Sequence, residues 1–261
     1  MSPFKLSMLN TDDDALAALD PFAPSSREDD RIRVLGHRGA PGSGRPENSV
    51  AAVTEALLQG ADGVEVDVWL TEDGTLVCAH DLPAATDRAF LATLPELLDA
   101  AQYPAGTQVV VEAKPVTDPA VAARTASALA DVLRTSAGSA AVTVSSFDPE
   151  LLGMIRAACA DLPVRTALLG DTSAPAAEVV HRAHQDGHDE VHLPLVAVRR
   201  TPESVETARL LGLSVALWTV NGRPDLQWAA DLGVDAVITD DILTAWSELD
   251  RATAIREMVA A

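Results

Sequence analysis

A (β/α)8 barrel is the fold class this sequence predicts, and three observations predict it. Short β-rich runs alternate eight times with amphipathic helical stretches from residue 31 onward. The span they occupy, about 230 residues, is close to the ~250 typical of such barrels. Polar side chains collect at the ends of strands that are otherwise apolar, which is where a barrel carries its chemistry. The runner-up, a doubly wound open sheet, wants a G-x-G-x-x-G fingerprint in its first strand-to-helix turn, and the turn after Gly36 lacks one in the right frame.

The strand runs are 32–37, 63–70, 108–114, 141–147, 164–169, 190–195, 214–220 and 236–239. Helical periodicity fills 49–59, 94–101, 119–135, 149–160, 176–185, 202–211 and 224–232, and a last helix runs from about 243 to 259. Asp118-Pro119, Asp148-Pro149 and Thr201-Pro202 place a capping oxygen before a proline suited to a helix start. Gly187, Gly212 and Gly233 follow helices where a left-handed residue is wanted. An additional short strand, 75–80, follows Glu72-Asp73-Gly74, and an Asp-Gly turn between β-rich runs predicts a hairpin after the second barrel strand. Residues 1–30 lack sustained periodicity and form an N-terminal extension with one short helix near 15–19; the barrel domain is 31–261.

Nearly half of the chain, 48%, is hydrophobic, which is ample for a buried core. The net charge of −20 disfavours nucleic acid and anionic membranes as partners, so a small anionic substrate needs locally concentrated positive charge. Cys78 and Cys159 sit in apolar patterns without metal spacing and are expected to be small buried packing groups. The start MSPFKLSMLNTDDD does not resemble a secretory signal, and no run approaches 18 apolar residues, so a cytoplasmic protein without stable membrane insertion is expected.

The polar residues narrow the chemistry. The first strand ends in His37-Arg38, and the second reads Gly63-Val64-Glu65-Val66-Asp67-Val68. A strand's period of two puts Glu65 and Asp67 on one face and the valines on the other. Two carboxylates on one inward face repel unless a cation or a shared proton intervenes, and inward positions offer few basic partners. The next parallel strand adds Glu112 and Lys114, and the hairpin strand ends in His80-Asp81. Three converging carboxylates with no thiolate or imidazole cluster suit a hard divalent cation, Mg²⁺ or Ca²⁺. Two imidazoles, an arginine and a lysine beside them suit phosphoryl transfer.

His37-Arg38-Gly39, Pro46-Glu47-Asn48, Glu65-x-Asp67, Asp73-Gly74, His80-Asp81, Glu112-x-Lys114, Ser145-Ser146-Phe147, Trp218-Thr219-Val220-Asn221 and Thr239-Asp240 occur in that order. The series, from about residue 34 to 241, resembles the motifs of the glycerophosphodiester phosphodiesterases. The resemblance implies a barrel that cleaves small phosphodiesters, with a divalent metal on Glu65, Asp67 and Glu112. It implies His37 and His80 as the acid–base pair, Arg38 and Lys114 on phosphate, Glu47 and Asn48 in support, and Trp218 lining the pocket. Phe147 is expected to line it too, because Ser145 and Ser146 lack the G-x-S-x-G context of a nucleophile.

Many members of that family carry an insertion of several dozen residues after the His-Asp motif. Here only Leu82 to Thr93 precede the next helix, with Thr86-Asp87-Arg88 as a remnant. An open site is expected, one that leaves the departing alcohol poorly defined. A lidless branch resembles the phospholipase D toxins of spider venom, so a phospholipase D-like enzyme forming cyclic phosphate is one alternative; a non-catalytic phosphoester-binding barrel is another, and a metal-dependent lyase or isomerase a third. The spacing of His181, His184, His188 and His192 hints at a second metal, but Gly187 interrupts the helix, and these are expected to be surface and strand-end residues. Trp228 and Trp246 are expected to pack outside the barrel, while Trp69 suits either the pocket or a barrel layer.

Overall fold

The computed structural model describes residues 31–84, 90–100, 103–136 and 140–250. Its strands are β1 (Arg33–His37), β2 (Gly63–Leu70), β3 (Leu76–Cys78), β4 (Gln108–Ala113), β5 (Ala141–Ser146), β6 (Val164–Leu169), β7 (Glu190–Pro194), β8 (Ser214–Trp218) and β9 (Ala236–Thr239). The helices are α1 (Val50–Leu58), α2 (Leu94–Ala100), α3 (Pro119–Thr135), α4 (Pro149–Ala158), α5 (Ala176–Gln185), the single turn α6 (Leu195–Val198), α7 (Glu203–Leu210), α8 (Arg223–Leu232) and α9 over 242–250. All strands except β3 run parallel in the order β1-β9-β8-β7-β6-β5-β4-β2, and β1 pairs with β2 to close the ring. The predicted TIM barrel is therefore present. The hairpin is too: β3 lies antiparallel on the outer end of β2, with Val68 opposite Cys78.

Strand alternation sorts the side chains. Val64, Val66, Val68, Val109 and Val111 face outward into the continuous core under the helices. Leu35, Val110, Ala216, Ala236 and Ile238 form a small apolar cluster on the inward parity. Nearer the strand starts, Glu190 Oε1 accepts from the Thr143 hydroxyl at 3.2 Å and from Gln108 Nε2 at 3.4 Å. Burial opposes the Glu190 charge, but His192, Arg165 and Arg33 outweigh it and hold the carboxyl at about 2.

One device recurs where helices hand over to strands. Gly60, Gly187 and Gly233 adopt φ of +86°, +73° and +67°, a conformation that glycine takes at little cost. Two residues later Asp62, Asp189 and Asp235 accept the backbone N–H of Val34, Thr166 and Val215 at 2.7–2.8 Å. Each carboxylate thus fastens its strand to a neighbour and satisfies a donor at the barrel's base.

The predicted caps hold at Asp118, which accepts from Ala120 N–H, and at Asp148, which accepts from Glu150 and Leu151 N–H. Thr201 does not cap: α7 begins at Glu203, and the Thr201 hydroxyl accepts from Ser204 Oγ instead. The turn α6 was not expected, because Leu195-Val196-Ala197-Val198 is too short for helical periodicity and β-branched enough to resemble a strand. Trp228 stacks under Arg199, and Trp246 under Arg31 while donating to Gly60 O, both outside the barrel. Cys78 and Cys159 are buried, and burial pushes the Cys78 thiol up to about 12. The expected extension 1–30, the end of the last helix and Thr86-Asp87-Arg88 lie outside the described residues. Among the described residues, no helix is long and apolar enough to cross a membrane.

Candidate active site

The C-terminal ends of β2 and β4 bring three acids together. Register places Asp67 opposite Glu112 and Glu65 opposite His37. One carboxylate oxygen from each of Glu65, Asp67 and Glu112 lies within 4.8 Å of the others. Burial first, then the charges of Asp67 and Glu112, raise the Glu65 carboxyl well above the usual range. Burial likewise raises Glu112 against the pull of Lys114. Burial also works against Asp67, but Lys114, Asn48 and Arg38 together hold it below the usual range. Glu65 Oε2 accepts from the Arg38 N–H at 3.2 Å, whereas its buried Oε1 has no hydrogen-bond partner among the described residues. An orphaned carboxyl oxygen in an all-oxygen donor set, on an acid whose charge the site otherwise disfavours, fits a hard divalent cation.

Two basic side chains reach this cluster, Lys114 and Arg38. Lys114 Nζ lies 2.6 Å from both Asp67 Oδ1 and Glu112 Oε1. Arg38 Nε is 3.3 Å from Asp67 Oδ2, and its Nη1 donates to Glu47 Oε2 at 2.9 Å. Asn48 is buried behind them: its Nδ2 donates to Asp67 Oδ2 at 2.8 Å and its Oδ1 accepts from Asp67 N–H at 2.9 Å. Arg38 and Asn48 have φ of +55° and +56°, and the Asn48 N–H closes the loop on Arg38 O at 3.1 Å. Left-handed backbone at two non-glycine residues costs on the order of 1–3 kcal/mol each and is held here by the bonds around Asp67.

His37 and His80 face the same cavity, about 190 Å³, as the three acids, Arg38 and Lys114. That volume is below the ~300–1,000 Å³ of sites for drug-sized ligands. The ionised Asp240 accepts from His37 Nδ1 at 2.7 Å. The bond to His37 holds Asp240 below the usual carboxylate range, and Asn221, donating to its other oxygen at 2.7 Å, adds to this. Asn221 Oδ1 in turn accepts from Asp240 N–H and from the Thr239 hydroxyl. His80 hangs from the hairpin, where Trp69 Nε1 donates to its carbonyl at 3.3 Å and its Nδ1 is 3.2 Å from Asp81 Oδ1. This side is open to solvent, with Leu82 62% and Phe90 89% exposed.

Phe147 and Trp218 line the cavity as a T-shaped pair, ring centroids 5.7 Å apart. Glu47 and Asn48 lie behind Arg38 and Asp67. Sequence reasoning gave no role to Asp240 and Asn221, whose partnership with His37 spans the barrel's closing seam. It also missed His192. Of the four clustered histidines, His181 and His184 are exposed on α5, but His188 is buried on Thr166 Oγ1 and His192 points inward from mid-strand. The signal was available: Glu190-x-His192 in β7 has the same polar alternation as Glu65-x-Asp67 in β2. Ser145, inward on β5, lines the cavity as well.

The chain matches the model of the "Glycerophosphoryl diester phosphodiesterase family" over residues 37–94 and 91–244. It is 31% identical to "Probable glycerophosphodiester phosphodiesterase 1" of Mycobacterium tuberculosis, spanning 84% of this chain and 93% of that protein. Its fold is similar to a glycerophosphodiester phosphodiesterase from Parabacteroides distasonis, with a TM-score of 0.76, 20% identity and coverage of 85% and 98% of the two chains. It is also similar to an Oleispira antarctica phosphodiesterase solved with the product sn-glycerol-3-phosphate, with a TM-score of 0.71, 23% identity and coverage of 84% and 97%.

Proposed function

The chain belongs to the glycerophosphoryl diester phosphodiesterase family and is a phosphoric diester hydrolase; we propose that Glu65, Asp67 and Glu112 hold a divalent cation, Mg²⁺ or Ca²⁺, while His37 and His80 exchange the protons of the reaction. When bound, such a cation supplies positive charge to the non-bridging phosphoryl oxygens. Arg38 adds a second charge on that side, with Glu47 and Asn48 fixing its loop, and Lys114 a third. Water attacks phosphorus and the P–O bond to the departing alcohol breaks. One ring takes the proton of the water and the other returns a proton to the alkoxide, leaving a monoester and an alcohol. Since Asp240 binds His37 Nδ1, proton exchange at that ring falls to Nε2.

The observation that carries this reading is the convergence of both imidazoles and all three acids on one small cavity. The glycerol phosphate product of the Oleispira neighbour supports a retained glycerol arm here. The exposed hairpin side supports tolerance for the departing alcohol, so glycerophosphodiesters of choline and ethanolamine are expected to turn over within about tenfold of each other. Phosphorus NMR on a diester panel tests the proposal and separates linear from cyclic products. His37→Ala and His80→Ala are each expected to fold and to lose most turnover, and normal turnover in either would refute the assignment. Metal-dependent ligand binding with no hydrolysis of any diester would favour a binding protein instead.

A further inference from the structure

Trp69 is a partly buried aromatic side chain that packing does not account for. It sits near the end of β2 on the same parity as Glu65 and Asp67, yet it joins neither the core beneath the helices nor the small inward cluster. It does not line the cavity either, where the aromatic rings are those of Phe147 and Trp218. What it makes is one directed bond: its Nε1–H donates to the His80 carbonyl at 3.3 Å. Among the described residues, this is the hydrogen bond that reaches the His80 main chain.

The two imidazoles of the site are held very differently. The His37 ring is fixed by Asp240, which Asn221 holds in turn. The His80 ring has Asp81 at 3.2 Å, but that carboxylate is 96% exposed, and an exposed ion pair contributes little. The place of His80 therefore depends on the hairpin that carries it. The turn of that hairpin is secured: Thr71 N–H donates to Thr75 O at 2.9 Å, and Arg124 reaches from α3 to donate to Glu72 O at 3.0 Å. At the other end β3 stops at Cys78, whose N–H donates to Ala92 O at 2.8 Å, and Ala79 N–H donates to Asp67 O at 3.1 Å. One residue further on, the indole takes over. It offers a single donor on a stiff side chain, which suits it to fixing one carbonyl. We propose that Trp69 is a positioning residue for His80: it ties the main chain under that ring to β2, two residues beyond Asp67, and so sets the ring's place relative to the three acids. This rests on the phosphodiesterase reading and deepens it, because the acid cluster and the second imidazole then take one strand as their common reference.

Trp69→benzothienylalanine tests this by putting sulfur in place of the N–H within a ring of nearly the same shape, and Trp69→Phe removes the donor with a natural side chain. On glycerophosphocholine, whose departing alcohol needs a proton, kcat should fall roughly three- to tenfold in each, the worth of one neutral hydrogen bond, with KM held within about twofold. In a His80→Ala background the same substitutions should cost less than about 1.5-fold, since a positioning residue acts only through the ring it positions. Unchanged kcat, or an equal loss with and without His80, would overturn the proposal and leave Trp69 a structural residue. Histidine-selective NMR decides the matter without turnover. Loss of the indole N–H should shift and broaden the His80 ring signals and leave those of His37 in place; unmoved His80 signals would sink the tie. If the wild type cleaves no diester, the hydrolase reading fails, while the NMR result still supports or refutes the hold of Trp69 on His80.

Discussion

Asp240→Asn tests the support of His37 with almost no change in shape. Asp240 presents two carboxylate oxygens to two donors, His37 Nδ1–H and Asn221 Nδ2–H, each at 2.7 Å. An amide has one oxygen, so either orientation turns an NH₂ group toward one of those donors. Asn221 cannot flip to compensate, because its oxygen already accepts from residue 240 N–H and the Thr239 hydroxyl. A charge-assisted hydrogen bond is worth about 1.5–3 kcal/mol. At about 1.4 kcal/mol per decade, that is roughly 10–100-fold in kcat/KM. The loss should stay below the ~10⁴ of a fully buried triad aspartate, since the Asp240 side chain is 41% exposed. The assay is steady-state hydrolysis of a chromogenic diester in wild type, Asp240→Asn, His37→Ala and the double variant. Asparagine should cost less than about twofold once His37 is absent, since coupled residues are not additive. Wild-type rates in Asp240→Asn, or an equal loss with and without His37, would refute the reasoning.

The base of the barrel predicts an acid limb to stability. Glu190 titrates near 2 when folded against an ordinary 4.5, so its contribution is full above about 4.5 and is lost as pH falls toward 2. That depression is worth on the order of 3 kcal/mol. Urea unfolding should find Glu190→Gln weaker by about that amount at pH 7 and near wild type at pH 2; a gap of equal size at both would contradict this. Asn48→Ala removes two bonds to Asp67 and leaves alanine at positive φ, for a loss of roughly 2–4 kcal/mol. Asn48→Gly should recover about 1 kcal/mol of it by relieving the backbone, and glycine no more stable than alanine would count against the strain.

The barrel was legible because strand parity and helix periodicity are strong local signals, and β2, β6 and β9 fall where alternation puts them. The acids were legible for the same reason: Glu65 and Asp67 interrupt a run of valines that would otherwise be uniformly apolar. Partnerships across the closed sheet were not. His37 meets Asp240 across 203 positions of chain, and only ring closure brings β1 beside β9. His192 was obscured by three neighbouring histidines, with which it was grouped as surface and strand-end residues once Gly187 broke their helical spacing, although its two-residue offset from Glu190 carried the inward parity. Thr201 failed as a cap because the sequence pattern says which oxygen is available, not where the helix's first turn settles.

The most direct test of the central claim, that three acids on adjoining strands share one cation beside the paired imidazoles, is calorimetric titration of chelator-stripped protein with Mg²⁺ and Ca²⁺. One ion should bind per chain, with affinity falling at least about tenfold in Glu65→Gln, whose lost oxygen is the unpartnered one. Absence of binding by either ion, or equal affinity in the variant, would contradict the account.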